Sequence, residues 1–212
     1  MKQYKAAIVG YGGMGHWHKN GILKTDRIRF AGVYDINPER MALAQKDGIE
    51  KAYSSYEELL ADKDIDLVVV ATPNNFHLPL VCQALEAGKL TICEKPVAMS
   101  SAELQQMMDT AKRTGTPFTI HQNRRVDADY CEMRDVVEAG KLGEVFEIES
   151  RVTGSRGIPD GWRQYAVAGG GMMLDWGVHL IDQMLYMMPD KKVTSVYCDM
   201  YHVAFKECDD GF

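Results

Sequence analysis

The chain has 212 residues, with 24 lysines and arginines against 30 aspartates and glutamates, for a formal net charge of −6. That length suits one large or two small domains, since domains usually run ~100–200 residues. A hydrophobic fraction of 46% with 25% charged residues excludes a disordered chain. The acidic balance and the lack of a basic block argue against nucleic acid as a partner. Clean apolar runs such as Leu67 to Ala71 fall far short of the ~20 residues of a membrane span. The opening MKQYKAAIVG has no long apolar core of a signal peptide, so a cytoplasmic protein is expected. Cys82, Cys93, Cys131, Cys198 and Cys208 are scattered and odd in number. That pattern argues against a disulfide framework or a zinc site.

The first half alternates strand and helix. Tyr4 to Val9 reads as a strand ending at Gly10, followed by a helix from about Gly13 to Leu23. Arg29 to Asp35 is the second strand. Asn37-Pro38 then marks a helix start, with asparagine as N-cap and proline at the first helical position. Ser55-Tyr56-Glu57-Glu58 fits a capping box for a short helix. Asp66 to Ala71 is a β-branched run typical of a strand buried on both faces. A helix from about His77 to Ala87 stops at Gly88, and Leu90 to Glu94 is the next strand. Ser100 to Glu103 is a second capping box, opening a helix to about Thr114, before a strand from Pro117 to His121. Such a βαβα rhythm implies a parallel, doubly wound sheet, an α/β fold, over residues 1–121.

The rhythm changes over residues 122–212. A helix near Asp129 to Ala139 precedes a long strand from Glu144 to Val152, a loop holding Gly154, Gly157 and Gly161, and a helix from about Gly171 to Met187. Val193 to Val203 reads as another long strand, and Asp209 to Phe212 as a turn and the first residue of a further one. This predicts an α+β second domain. Two strands make a poor sheet alone, so the domain is expected to be incomplete or completed by another chain.

The strongest chemical signal is Gly10-x-Gly12-x-x-Gly15, with Gly13 and Met14 inside it, placed directly after a strand and opening a helix. The glycines permit a tight turn, close approach to a pyrophosphate and close helix packing. The helix N-terminus offers N–H groups to phosphate. Asp35 lies 20 residues beyond Gly15 at a strand end, where a carboxylate accepts the adenosine ribose hydroxyls and repels a 2′-phosphate. NAD is therefore favoured over NADP. The bland alternative is a glycine turn and a solvated aspartate. Thr72, Pro73, Asn74 and His77 follow a strand whose C-terminal end lines the cofactor crevice, although Pro73 and Asn74 also suit a plain turn. His16 is within reach of a phosphate, and Trp17 suits packing between helix and sheet.

Glu94-Lys95-Pro96 ends the next strand, so Lys95 points toward the reacting end of the cofactor, unless it is a surface lysine before a turn. Pro96 is compatible with either peptide isomer. In the run Gly169-Gly170-Gly171-x-x-x-Asp175-x-x-x-His179-x-x-Asp182, helical spacing puts residues 175, 179 and 182 on one face. A carboxylate beside an imidazole orients a general acid or base. Alone, the segment reads better as a satisfied core histidine with a helix-surface aspartate, and a metal pair is a third option that no further ligand cluster supports. The methionine pairs at 107–108, 172–173 and 187–188 read as core filler.

Together these segments resemble the glucose–fructose oxidoreductase/inositol dehydrogenase/MocA family. The matching residues are GYGGMGHWH at 10–18, ATPNNFH at 71–77, EKP at 94–96, HQNRR at 121–125 and GGGMMLDWGVHLID at 169–182. The resemblance implies a Rossmann domain binding NAD(P), with Glu94 and Lys95 among the residues around the cofactor. It also implies a C-terminal domain whose large, mostly antiparallel sheet often mediates homo-oligomerisation. It makes Lys95, Asp175 and His179 the catalytic group and places Trp162-Arg163 near the nicotinamide. Family members usually exceed 300 residues, so this chain is expected to stop within the second domain. The expected activity is hydride transfer between NAD and a secondary alcohol of a sugar or cyclic polyol. Either Lys95 or His179 would be the base. The rivals are elimination-type glycoside cleavage using NAD without net redox change, and a dinucleotide sensor without catalysis. No metal is expected.

Overall fold

The computed structural model describes residues 3–154 and 157–211. The expected start of a strand at Phe212 and the 155–156 stretch of the glycine-bearing loop lie outside the described residues. The chain divides into two compact units, Met1–His121 and Gln122–Phe212.

The first unit is built on six parallel strands: β1 (Tyr4–Val9), β2 (Ile28–Tyr34), β3 (Lys51–Ala52), β4 (Leu67–Val70), β5 (Leu90–Glu94) and β6 (Phe118–His121). They lie in the order β3-β2-β1-β4-β5-β6. The strand order reverses between β1 and β4, and this is where doubly wound sheets bind ligands, at the carboxyl ends of the strands. Helices α1 (Gly13–Ile22), α2 (Pro38–Lys46), α3 (Tyr56–Ala61), α4 (His77–Glu86) and α5 (Ser101–Thr114) make the crossovers.

The all-apolar β4 run is explained by burial on both faces. Ala7 and Val9 of β1, with Val68 and Val70 of β4, enter a core that includes Leu59, Val81, Leu85 and Met107. Their alternates Ala6, Ile8, Leu67 and Val69 enter a second core with Tyr11, Ile22 and Phe30. Each buried valine or isoleucine contributes roughly 1.5–3 kcal/mol. The caps follow the sequence closely. Asn37 accepts the Glu39 amide at 2.8 Å. Ser55 accepts from Glu58 at 3.1 Å, and Ser100 from Glu103 at 3.2 Å. Glu103 returns a carboxylate to the Met99 amide at 2.9 Å.

The second unit holds α6 (Ala128–Glu138) and α7 (Val178–Met187). Tyr130 Oη donates to Gln183 O at 3.1 Å and Gln183 Nε2 to Arg124 O at 2.8 Å, tying the two helical segments. The long strands expected at Glu144 to Val152 and Val193 to Val203 are not formed. Among the described residues, the only β pairing in this unit is an isolated antiparallel bridge between Tyr201 and Gly211. A strand exists through its neighbours, and here Phe146, Val196, Tyr197 and Val203 are exposed rather than packed on a sheet. The expected antiparallel sheet is therefore not formed among the described residues. The single helix expected from about Gly171 to Met187 is also modified. Residues Met173–Gly177 form a π turn, in which the Val178 amide donates to Met173 O, before α7 begins.

Candidate cofactor and catalytic site

In the first unit the phosphate loop runs from the end of β1 into α1. Gly10 sits at φ +90°, and a Cβ there would lie 2.6 Å from Ala71 O on the adjacent β4 strand end. A Cβ on Gly15 would strike Gly10 O. These two glycines make the turn tight and let α1 approach it. At Gly13 a Cβ would meet nothing within 4 Å, and at Gly12 only the Arg40 guanidinium, from 3.6 Å. The mouth of the loop is therefore open. Gly12 caps α1 without a side-chain hydrogen bond, leaving the helix N-terminus to offer its N–H groups, the arrangement that favours an anion. Met14 is half-buried beside it.

Asp35, at the end of β2, is buried. Its Oδ2 accepts the Tyr11 amide at 2.6 Å and its Oδ1 accepts the Asn37 amide at 2.8 Å. A carboxylate has about four acceptor positions; with the Arg40 guanidinium as a third donor, one remains for a ribose hydroxyl. Arg40 Nη1 stands 3.5 Å from Asp35 Oδ2. The sequence reading missed Arg40. Its signal was an arginine in the first turn of the helix that follows the acidic strand end. His16 Nδ1 lies 3.0 Å from Gly12 O, and its Nε2 3.4 Å from Asp47. Asp47 also takes Lys19 Nζ at 2.9 Å and the Tyr11 hydroxyl at 2.7 Å. Those bonds hold the Asp47 carboxyl below its ordinary range, while burial and Asp47 push the Tyr11 phenol up.

At the end of β4, Thr72 Oγ1 is buried with no hydrogen-bond partner, an orphaned hydroxyl at the carboxyl edge of the sheet. Pro73 precedes a 3₁₀ turn, Asn74–Phe76, in which Asn74 is buried. His77 is wholly buried, with Nδ1 2.9 Å from Pro96 O and Nε2 3.0 Å from Thr72 O. It clamps the loops after β4 and β5 instead of reaching out to a ligand. Burial lowers its pKa despite those carbonyl contacts. An open glycine cradle, a helix start without a side-chain cap, an acidic strand end and an orphaned hydroxyl, all on the carboxyl edge, fit a dinucleotide.

Glu94 is likewise buried. Its Oε1 accepts from His18 Nε2 at 2.6 Å and from His121 Nδ1 at 2.8 Å. Burial alone would raise its pKa, but the two imidazoles outweigh it and hold the carboxyl at about 2. These three side chains form a cluster able to hold a metal ion. Ligands on a tetrahedral zinc with bonds of ~2.0–2.1 Å stand roughly 3.3 Å apart, so the observed separations are those of hydrogen bonds. Trp17 is half exposed, its ring 4.9 Å from that of His121. Lys95 follows at the carboxyl edge, joined to Pro96 by a cis peptide.

In the second unit, Asp175 lies in the π turn and His179 in the first turn of α7, where it is buried. Asp175 Oδ2 is 3.3 Å from Arg163 Nε, and the Arg163 guanidinium stacks 4.6 Å from the Trp162 ring. His179 Nδ1 is 3.0 Å from Gln122 Oε1. Asp182 turns to Arg125, at 2.8 Å from its Nε. The wider π turn breaks the regular α ladder that the sequence spacing assumed. Trp176 packs edge-on to His179, with ring centroids 6.0 Å apart. Gln122 was absent from the site expected from sequence, because 57 residues separate it from His179.

No helix among the described residues is long and apolar enough to cross a membrane. Residues 4–122 match the NAD-binding Rossmann-fold domain of the Gfo/Idh/MocA oxidoreductases, and residues 130–212 match that family's C-terminal domain. The crystal structure of an NAD-binding protein from Listeria innocua has a TM-score of 0.95 at 46% identity, covering 99% of this chain and 61% of that one. The D-glucoside 3-dehydrogenase of Escherichia coli is 30% identical over 197 residues, 91% of this chain and 56% of its own. The myo-inositol 2-dehydrogenase of Thermotoga maritima is 28% identical over 196 residues, 92% of this chain and 58% of its own. This chain thus spans between 56% and 61% of the length of these proteins. With both of its units matched by the corresponding domains, the chain belongs to the Gfo/Idh/MocA oxidoreductase family, and its first unit is the family's NAD-binding Rossmann fold.

Proposed function

We propose that the protein transfers hydride between NAD and a secondary alcohol of a sugar or cyclic polyol. The observation that carries this reading is the set of groups on the carboxyl edge of the parallel sheet: the open phosphate loop after β1, Asp35 after β2, the orphaned Thr72 hydroxyl after β4 and Lys95 after β5. Relatives that act on a glucoside and on myo-inositol support the substrate class.

Gly10, Gly12, Gly13, Met14 and Gly15 would hold the diphosphate, and Asp35 the adenosine ribose. Thr72, Pro73 and Asn74 would line the crevice. When bound, the nicotinamide supplies a hydride acceptor or donor. Lys95 and His179 would hold the substrate hydroxyl and move its proton, and Asp175 with Trp162 and Arg163 would shape that end of the site. Asp35 favours NAD by charge, while Arg40 offers a cation beside the position of a 2′-phosphate.

The test is a screen of sugars and inositols with NAD and with NADP, read as reduced-nicotinamide absorbance. Turnover with at least one polyol is expected, and His179→Ala should lower it by roughly 10²–10⁴-fold with NAD affinity retained. Product formation without net reduction would favour the lyase rival. NAD binding with no polyol turned over, or unchanged turnover in His179→Ala, would remove the proposed reaction.

A further inference from the structure

We infer that Gln122 fixes His179 as the tautomer protonated on Nδ1, which makes Nε2 the proton-accepting atom. The inference rests on the hydride-transfer reading above for its functional meaning, but its geometry stands apart from it.

Gln122 Nε2 lies 3.2 Å from Val178 O. A backbone carbonyl only accepts, so the amide group facing it must be the NH2. That contact sets the orientation of the Gln122 amide and leaves its Oε1 toward His179, 3.0 Å from Nδ1. An amide oxygen also only accepts. The proton in that bond must therefore sit on Nδ1. A neutral imidazole carries one N–H, so Nε2 keeps its lone pair, and whatever faces Nε2 must be a donor.

A substrate hydroxyl is such a donor. In the proposed reaction Nε2 would take the proton as the O–H bond breaks, and the nicotinamide, when bound, would supply the acceptor for the hydride from the same carbon. This picks out His179 as the group oriented to receive the proton. The ring plane is held as well. Trp176 packs edge-on to His179, and the Arg124 guanidinium covers Trp176 at 4.2 Å. Gln122 is thus a positioning residue that acts through the imidazole, the part often taken by a carboxylate or backbone carbonyl beside a working histidine.

The test reads the tautomer directly. The 212-residue chain is labelled with 15N in its histidine rings and observed at roughly pH 8, where an ordinary imidazole is neutral. The His179 signals are identified by their loss in His179→Ala. The expected pattern is a protonated, pyrrole-like Nδ1 and an unprotonated Nε2. Gln122→Met removes the acceptor at similar volume, and Nε2–H should then appear. Gln122→Glu keeps an acceptor and should keep Nδ1–H. In turnover, Gln122→Met should lower kcat by about 10–100-fold with KM little changed, whereas Gln122→Glu should hold kcat and move its pH profile upward, because a carboxylate favours the imidazolium.

Nε2–H in the unsubstituted chain, or the same tautomer in Gln122→Met, would overturn the inference. Should Gln122→Met lose its helical circular dichroism, the unsubstituted chain and Gln122→Glu still decide, since Nε2–H in the former, or loss of Nδ1–H in either, is fatal. The tautomer is read without substrate. A protonated Nδ1 with full turnover in His179→Ala would therefore sink the proposed reaction and leave the role of Gln122 standing.

Discussion

His18 Nε2 lies 2.6 Å from Glu94 Oε1, joining the first helix to the end of β5 across 76 residues of chain. His121 Nδ1 reaches the same oxygen at 2.8 Å. Both imidazoles must donate there, which fixes their protonated nitrogens, and the Lys95 amide donates to the other carboxylate oxygen at 3.3 Å. That arrangement pins the main chain immediately before Lys95.

The Glu94 bonds predict a specific acid limb of stability. Its folded pKa of about 2 lies below the ordinary 4.5. Its contribution is therefore complete above about pH 4.5 and fades as pH falls toward 2. The shift corresponds to of order 3 kcal/mol at neutral pH. Urea unfolding of the unsubstituted chain should lose stability across that interval, and Glu94→Gln should flatten the limb. Equal slopes in the two proteins would show that the carboxylate gains nothing from its imidazoles.

Much of the first unit was legible because its evidence is local or periodic. The Asp66 to Ala71 run announced a strand with two buried faces. Asn37-Pro38 and the pair Ser100 and Glu103 announced helix starts through contacts within four residues. The Glu94 cluster was not legible, because its members come from α1, β5 and β6 and carry no shared spacing. Lys51–Ala52 is too short to show a period. In the second unit, residues 144–152 and 193–203 carry β-forming side chains without the neighbours that turn such side chains into strands. The π turn at Met173–Gly177 changes the register of Asp175 against His179, and no residue type in that run signals it.

Gly15→Ala tests the phosphate loop. The added methyl meets a backbone carbonyl, Gly10 O, which cannot swing away as a side chain would. Destabilisation of about 1–3 kcal/mol is expected from such overpacking. NAD affinity should fall by about tenfold or more, a loss of at least ~1.4 kcal/mol. Calorimetry at a temperature where circular dichroism shows the variant folded separates the two effects. Unchanged NAD affinity would remove the diphosphate from this loop.

Asp35 and Arg40 are opposite charges 3.5 Å apart, and in the proposed cofactor site they would flank the adenosine ribose. Asp35→Asn removes the repulsion toward a 2′-phosphate and leaves the Arg40 guanidinium in place. The ratio of NADP to NAD affinity should rise by about tenfold, or ~1.4 kcal/mol. The variant should also lose roughly 1–3 kcal/mol of stability, since one buried amide of Tyr11 or Asn37 loses a charged acceptor. The ratio is the diagnostic quantity, because a general weakening of the loop would lower both affinities together. An unchanged ratio would take nucleotide selection away from Asp35.

Lys95 offers the sharpest test of concerted proton handling. Its neighbour Glu94 is locked by two histidines, and the His77 ring holds Pro96 O. These bonds hold the main chain on both sides of Lys95 independently of its ammonium. Lys95→Met, close in length and uncharged, should lower turnover by roughly 10²–10⁴-fold under conditions where circular dichroism shows the variant folded. Groups that act as a unit show losses that do not add. In the proposed reaction, Lys95→Met combined with His179→Ala should therefore be about as slow as the slower single variant. Fully multiplied losses would mean that the two side chains serve separate steps, and the shared substrate hydroxyl would have to be abandoned.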